Sequence, residues 1–395
     1  MNYKKAAVAA LVLVTAVFAA AVFFSLRPAA GRNRPAATSG TAATTARATQ
    51  TQPETAAETT TQILPGGVRV LPDTGDGSFT VGFTGDINLD ETWDRGPMQY
   101  CAASSRGIAD YIGADLIEKM RSADILFVNN ECSISTRGSK QAKAYAFRAD
   151  PANISVYKAL GVDAVTLANN HIYDYGAQGL LDTVAALEKA GIACAGAGAD
   201  IGAASQAAYF RINGKTVAFV AAGRTESWFN TPAAGEDSPG ILDAYGSDNC
   251  VRAIRTAAAQ SDYVIVYVHW GTEDSHHTSA EQLAEGERYI EAGADAVIGS
   301  HPHVLQGMNF YRGKFIAYSL GNFWFNLKDL ESAYLELTFD AGGGITPRLT
   351  PCMTSGGHTI IETDAAKAGE ITALIESVSP KQNVYIAPDG TVKQK

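Results

Sequence analysis

Residues 163–176 read DAVTLANNHIYDYG. Ala164 to Ala168 is the kind of apolar run that fills a buried strand, and it stops abruptly at Asn169, Asn170 and His171. A buried strand usually hands over to a turn through Gly, Pro or Asp. Two amides and an imidazole beside a core are costly unless something pairs with them. The stretch therefore predicts a buried strand with polar partners waiting at its carboxyl end.

The same pattern recurs along the chain. SFTVGFTGD, ADILFVNNE, VDAVTLANNH, TVAFVAAGR, DYVIVYVHWG, ADAVIGSHPH and KFIAYSLGNF all read as buried strands. Between them lie segments with apolar residues at helical spacing, clearest in GLLDTVAALEKAG and AEQLAEGERYIEAG. Asp364 to Ser379 reads as one closing amphipathic helix. Four strands begin after an aspartate, at Asp124, Asp163, Asp262 and Asp295. Apolar strands alternating with helices predict an α/β fold whose mostly parallel or mixed sheet is covered on both faces.

The strand ends carry the chemistry. They finish in Gly85-Asp86, Asn129-Asn130-Glu131, Asn169-Asn170-His171, His269-Trp270-Gly271 and Ser300-His301-Pro302-His303. In open α/β sheets this carboxyl edge is where ligands bind. The donors are oxygen and imidazole without thiolate, which suits Mn, Fe, Zn or Ni. They are too many for one tetrahedral ion and enough for two that share a carboxylate. Two such cations suit attack on a phosphoryl group. An Asn carbonyl ligates a metal without adding charge, and the next His can protonate a leaving group. The strand would end in polar residues because metal and substrate are their partners.

The chain has 395 residues and a formal net charge of −10, which argues against a nucleic-acid partner. Lys4 and Lys5 precede an uncharged apolar run of about 21 residues, Ala6 to Leu26, closed by Arg27. That length spans a bilayer and exceeds a usual signal-peptide core. Residues 1–27 are expected to be a membrane anchor, with a cleaved signal segment as the alternative. The Ala/Thr/Pro-rich residues 28–62 then read as a flexible linker, since they lack the large apolar side chains needed to build a core. Residues 63–395 form the globular domain. Five scattered cysteines make no zinc or dense disulfide framework.

FRADPANISVYKALGVDAVTLANNHIYDYGAQGLLDTVAALEKAGIACAGAG, with GDINL, NNECSI, VHWGTE, SHPHVLQG and YSLGNF, closely resembles the CapA-type capsule-synthesis proteins, which include a component of poly-γ-glutamate synthesis. The resemblance runs from about Phe79 to Phe325. It implies a calcineurin-like metallophosphoesterase fold, a four-layer α/β/β/α sandwich, on a single-pass membrane protein whose globular domain is extracytoplasmic. It also implies membrane synthase partners. By that likeness Asp86 opens the metal site, Glu131 bridges, Asn170 ligates and His171 donates a proton. His269, His301 and His303 complete two sites for divalent transition metals such as Mn, Fe or Zn. The chain departs from the phosphoesterase pattern in three places. Asn88 stands where a histidine is expected, the bridging aspartate is Glu131, and Ile172 replaces an acid, although Asp174 is near.

Asn88 reads either as a further ligand or as a turn residue. Glu273 and Asp174 read as orienters of site histidines, and Asn322 as a pocket residue. His276 and His277 precede a capping-box signal, TSAEQ, and read as surface. Two functions follow. One is a metal-dependent hydrolase acting on a phosphoester or an anionic polymer. The other is a non-catalytic component that binds or exports the polymer.

Overall fold

Each of the four strand-leading aspartates accepts a backbone N–H from the strand beside it. Asp124 Oδ2 takes Thr80 N at 2.7 Å, and Asp163 Oδ2 takes Leu126 N at 2.9 Å. Asp262 Oδ2 takes Thr216 N at 2.8 Å, and Asp295 Oδ2 takes Val264 N at 2.9 Å. The N–H of the second residue of each neighbouring strand points past the start of the parallel ladder, and a carboxylate satisfies it. The aspartates therefore fix where each parallel strand begins. The computed structural model describes residues 62–395 apart from 65, 226–229, 247 and 381–382. The expected anchor, 1–27, lies outside the described residues, as does all of the linker except its last residue. Among the described residues no helix is long and apolar enough to cross a membrane.

The fold is mixed α/β with two eight-stranded sheets. In one, Phe79–Ile87, Ile125–Asn130, Ala164–Thr166 and Ala193–Ala195 run parallel. Leu330–Phe339, Ile345–Ser355 and His358–Ile361 extend it antiparallel. In the other, Lys215–Gly223, Tyr263–His269, Ala296–Ser300 and Lys314–Ala317 are parallel neighbours.

Burial on both faces explains why these strands read as continuous apolar runs. Ile265 and Tyr267 face one core while Val264, Val266 and Val268 face a second, with Trp270 just beyond. On the first face Tyr267 meets Phe83 and Phe127 of the other sheet, with ring centroids 6.5 and 5.5 Å apart. The second face packs under the helices Asp248–Ala258 and Ala280–Ala292. Ala280–Ala292 starts with the expected capping box, Ser279 and Gln282 each bonding the other's backbone.

One expected strand is divided. KFIAYSLGNF splits into Lys314–Ala317 and Asn322–Trp324, which pair in different sheets. Gly321 turns the chain between them at φ 66°. The crossing brings the carboxyl ends of both sheets together, and Asp86 N donates to Gly321 O at 3.0 Å. The closing helix forms over Ala365–Val378, capped by Asp364 and buried through Ile371 and Ile375.

Candidate metal centre

One sheet supplies Asp86 within its strand Phe79–Ile87, Glu131 just past Asn130, and Asn170 and His171 in the loop after Thr166. The other supplies His269 as the last residue of its strand, with His301 and His303 directly after Ser300. His301 and His303 adopt positive φ, 98° and 59°. Non-glycine residues do this at some energetic cost, and such strain is concentrated at functional sites. Here it accompanies two imidazoles two residues apart at one strand end.

Five of the seven side chains meet in two overlapping groups, with Asn170 and His171 beside them. Glu131, His269 and His301 have ligand atoms within 4.8 Å of one another, and so do Asp86, Glu131 and His303. Glu131 belongs to both. His269 Nε2 lies 2.9 Å from Asn170 Oδ1, 3.0 Å from His301 Nδ1 and 3.5 Å from Glu131 Oε1. In the second group His303 Nδ1 lies 3.2 Å from Asp86 Oδ2, and His303 Nε2 lies 3.9 Å from Glu131 Oε1.

Glu131 Oε1 tests whether a cation fits. It is buried and, among the described residues, has no hydrogen-bond partner, although imidazole nitrogens surround it. An orphaned buried carboxylate oxygen is costly. Burial, and then the charge of Asp86, push the Glu131 carboxyl well above the usual carboxylate range. Burial holds His269 down at about 3, and it pushes His301 well below the ordinary imidazole value. Both therefore stay neutral with lone pairs available, the form that metal ligation needs. Burial opposes ionisation of Asp86 too, but the hydrogen bond and charge of His303 keep its carboxyl low. Carboxylates, an amide oxygen and neutral imidazoles fit a borderline divalent metal.

His171 stands beside both groups. Its Nδ1 is 2.7 Å from Asp174 Oδ2, its Nε2 is 4.0 Å from Glu131 Oε1, and its ring packs on Phe147. Burial lowers its pKa and Asp174 works against that. Asn322 Oδ1 lies 2.8 Å from His303 Nδ1. Asn88 Oδ1 accepts Asp90 N at 2.9 Å, as a turn residue does. Glu273 is exposed on the wall of the adjoining cavity and, among the described residues, hydrogen-bonds none of the site histidines. His277 is exposed, whereas His276 is half-buried and turns its Nδ1 to Leu305 O.

Three contributors carry no role in the sequence reading. Asn129 Nδ2 lies 2.8 Å from Asp86 Oδ1, 3.3 Å from Glu131 Oε2 and 3.3 Å from His269 Nδ1. Asn169 Nδ2 donates to Asn129 Oδ1 at 3.0 Å, so the first amides of the two Asn-Asn pairs tie the site together. That repeated pair, before Glu131 and before His171, was the available signal. Lys143 donates to Asn170 O at 2.8 Å and pairs with Asp174. Its loop, SKQAKAY, gives no hint of that.

The family of bacterial capsule synthesis proteins designated PGA_cap matches residues 80–327, a span that contains every site residue named above. This chain belongs to that family. One PGA_cap-like relative is the capsule biosynthesis protein CapA of Bacillus anthracis, 32% identical over 225 residues, which is 55% of this chain and 54% of that one. The PGA biosynthesis protein CapA of Bacillus subtilis (strain 168) is 30% identical over 259 residues, 64% of each chain. A probable polyglutamine synthesis accessory protein of Mycobacterium tuberculosis is 35% identical over 212 residues, 50% of this chain and 55% of that one. The PGA_cap chain described here thus spans between about half and two thirds of the length of these relatives.

Proposed function

We propose that this protein is a membrane-anchored, extracytoplasmic component of capsule or poly-γ-glutamate synthesis whose centre is a metal-dependent hydrolase of phosphoesterase type. The observation that carries the reading is Glu131, a buried carboxylate common to two ligand groups. Two divalent transition ions, Mn, Fe or Zn, would sit there, one near His269, His301 and Asn170 and one near Asp86 and His303. Bound cations supply acidification of a water and neutralisation of phosphoryl oxygens. The chain's own part is to orient. Asp174 accepts the Nδ1 proton of His171, which leaves Nε2 to carry a proton to a leaving oxygen. Asn129 holds Asp86 and Glu131 by its amide. Two sheets meeting through Tyr267, with helices over the outer face of one, support a four-layer α/β/β/α sandwich over 63–395. Family membership supports synthase partners in the membrane and an anionic polymer or phosphoester as ligand.

The second reading is a polymer-binding or export component without turnover. It is favoured by Asn88, which stands where the phosphoesterase pattern has a histidine and whose carbonyl oxygen already accepts Asp90 N. Elemental analysis of the purified full chain, beside Glu131→Ala and His301→Ala, tests the centre. Two transition ions per chain, lost in both variants, are expected. His171→Ala then separates the readings. Loss of phosphoester hydrolysis with metal retained supports the hydrolase. A metal-replete wild type that hydrolyses no phosphodiester or monoester supports the binding component.

A further inference from the structure

A cavity of about 680 Å³ adjoins the centre, and Asn170, His171 and His303 are among its lining residues. Pockets of this size hold small ligands or the end of a larger one. The rest of its wall is unusual for a site built only to hold metal. Trp93, Tyr145, Phe147 and Phe325 line it, with Arg95 and Lys328 beside them. The Trp93 ring lies 4.7 Å from that of Phe147, 5.8 Å from Phe325 and 6.3 Å from Tyr145, centroid to centroid. Phe147 and Phe325 are buried and belong to the core. Tyr145 is 51% exposed and Trp93 is half-buried, so the cluster ends in an aromatic lip open to solvent.

The lip is tied in place, since Leu327 N donates to Arg95 O at 3.1 Å and joins its two segments. Arg95 is exposed and makes no ion pair among the described residues, while Lys328 Nζ is 3.8 Å from Asp274 Oδ1. Glu273 and Asp274 also line the wall, so the cavity is mixed in charge. In a chain of net charge −10, Arg95 and Lys328 place two cations beside these rings.

We propose that this cavity is a subsite for the non-reacting body of an anionic ligand, with an apolar or ring-bearing stem on Trp93 and Tyr145 and a second negative charge at Arg95 and Lys328. It rests on the reading that the ligand's first anionic group enters the metal centre. Aromatic faces reward flat or hydrocarbon stems beyond simple burial. A guanidinium pairs best with carboxylate or phosphate.

Binding of three non-hydrolysable probes to the metal-loaded full chain tests it, by calorimetry: methylphosphonate, phenylphosphonate and 4-carboxyphenylphosphonate. Phenylphosphonate is expected to bind at least about fivefold tighter than methylphosphonate. The added carboxylate should gain about threefold or more at low salt, and the gain should shrink as salt rises. Trp93→Ala should erase the ring preference and Arg95→Ala the carboxylate preference, each with unchanged metal content and unchanged methylphosphonate affinity. If Trp93→Ala does not fold, Tyr145→Ala, on a half-exposed ring, reads the same loss. Equal affinity for methylphosphonate and phenylphosphonate, or a preference that survives the ring variants, overturns the subsite. A carboxylate gain that survives Arg95→Ala overturns the charge assignment. If the chain takes up no metal, the metal reading fails by itself. Fluorescence quenching that depends on Trp93, scored over the same probes, then decides the subsite, and absence of ring preference overturns it.

Discussion

Glu131 Oε1 and His269 Nε2 lie 3.5 Å apart, and Glu131 Oε1 hydrogen-bonds to nothing among the described residues. Two groups that ought to attract each other instead leave a gap a cation fits. Without metal the folded state holds the Glu131 proton more tightly than the unfolded chain, because its pKa is raised. Glu131's contribution to the stability of the metal-free protein is therefore full below the ordinary carboxylate pKa and declines as pH rises above it. Glu131→Gln removes the cost of protonating this carboxyl on folding and should stabilise the metal-free protein at pH 7, by about 1–3 kcal/mol. The same variant should abolish the rise in Tm that Mn or Zn gives the wild type. Thermal unfolding with and without chelator, from pH 5 to 8, checks both halves. A variant still stabilised by metal would remove Glu131 from the centre.

Lys143 and Asp174 form a buried pair, their side chains 3% and 0% exposed, with Lys143 bonded to Asn170 O and Asp174 to His171 Nδ1. Removing one member leaves the other charged in the interior, at a cost of about 3–5 kcal/mol. Lys143→Met and Asp174→Asn should each lower the urea midpoint strongly. The double variant should lose clearly less than the sum, since neither charge is then stranded. Additive losses would mean that the two residues act separately.

How much of this could be read in advance differs from residue to residue. The strand ends were legible because a polar residue closing an apolar run needs a partner, and Asp86, Glu131, Asn170, His171, His269, His301 and His303 do converge. The aspartates that open four strands were visible as a pattern, though their task of accepting an N–H near the start of the neighbouring strand needed the register. KFIAYSLGNF misled because local hydrophobicity does not say when a chain changes sheets. Only the register reveals that Asn322 pairs with Asp86. Lys143 was invisible for a similar reason. Its burial comes from how residues 141–147 lie over the loop at Asp174, held by Gln141 N to Asp174 O and Phe147 N to Asp174 Oδ2.

Gly85, next to Asp86, has no room for a side chain. A Cβ there would stand 1.8 Å from the carbonyl oxygen of Gly321, which also accepts Asp86 N. Gly85→Ala must push the two strand ends apart and carry Asp86 with them. A loss above about 3 kcal/mol and a large drop in metal affinity are expected. Gly369, inside the helix Ala365–Val378, is the contrast, with nothing within 4 Å of its would-be Cβ. Gly369→Ala should gain about 0.5–1 kcal/mol with metal binding unchanged. Tm and metal titration of the two variants separate close backbone approach from general intolerance of glycine replacement.

Asp163 and Asp262 do the same topological job with opposite pH signatures. Burial raises Asp163 to about 6, against the bond from Leu126 N. The folded state then binds its proton more tightly than the unfolded chain, so its contribution is full below about pH 4 and is lost as pH rises through about 6. Asp262 is more exposed, and the Thr216 backbone bond lowers its pKa despite some burial, with Lys215 helping. Its contribution is present above the ordinary aspartate pKa and is lost as pH falls through the lowered one. Asn keeps an acceptor oxygen for either backbone N–H and cannot titrate. Asp163→Asn should therefore raise Tm relative to wild type at pH 7–8, with the advantage gone near pH 4. Asp262→Asn should lower Tm at pH 7 and lower it less near pH 3. Tm differences of the same sign for both variants at pH 7 would show that the shared strand-start geometry, rather than the burial of each carboxylate, governs its protonation.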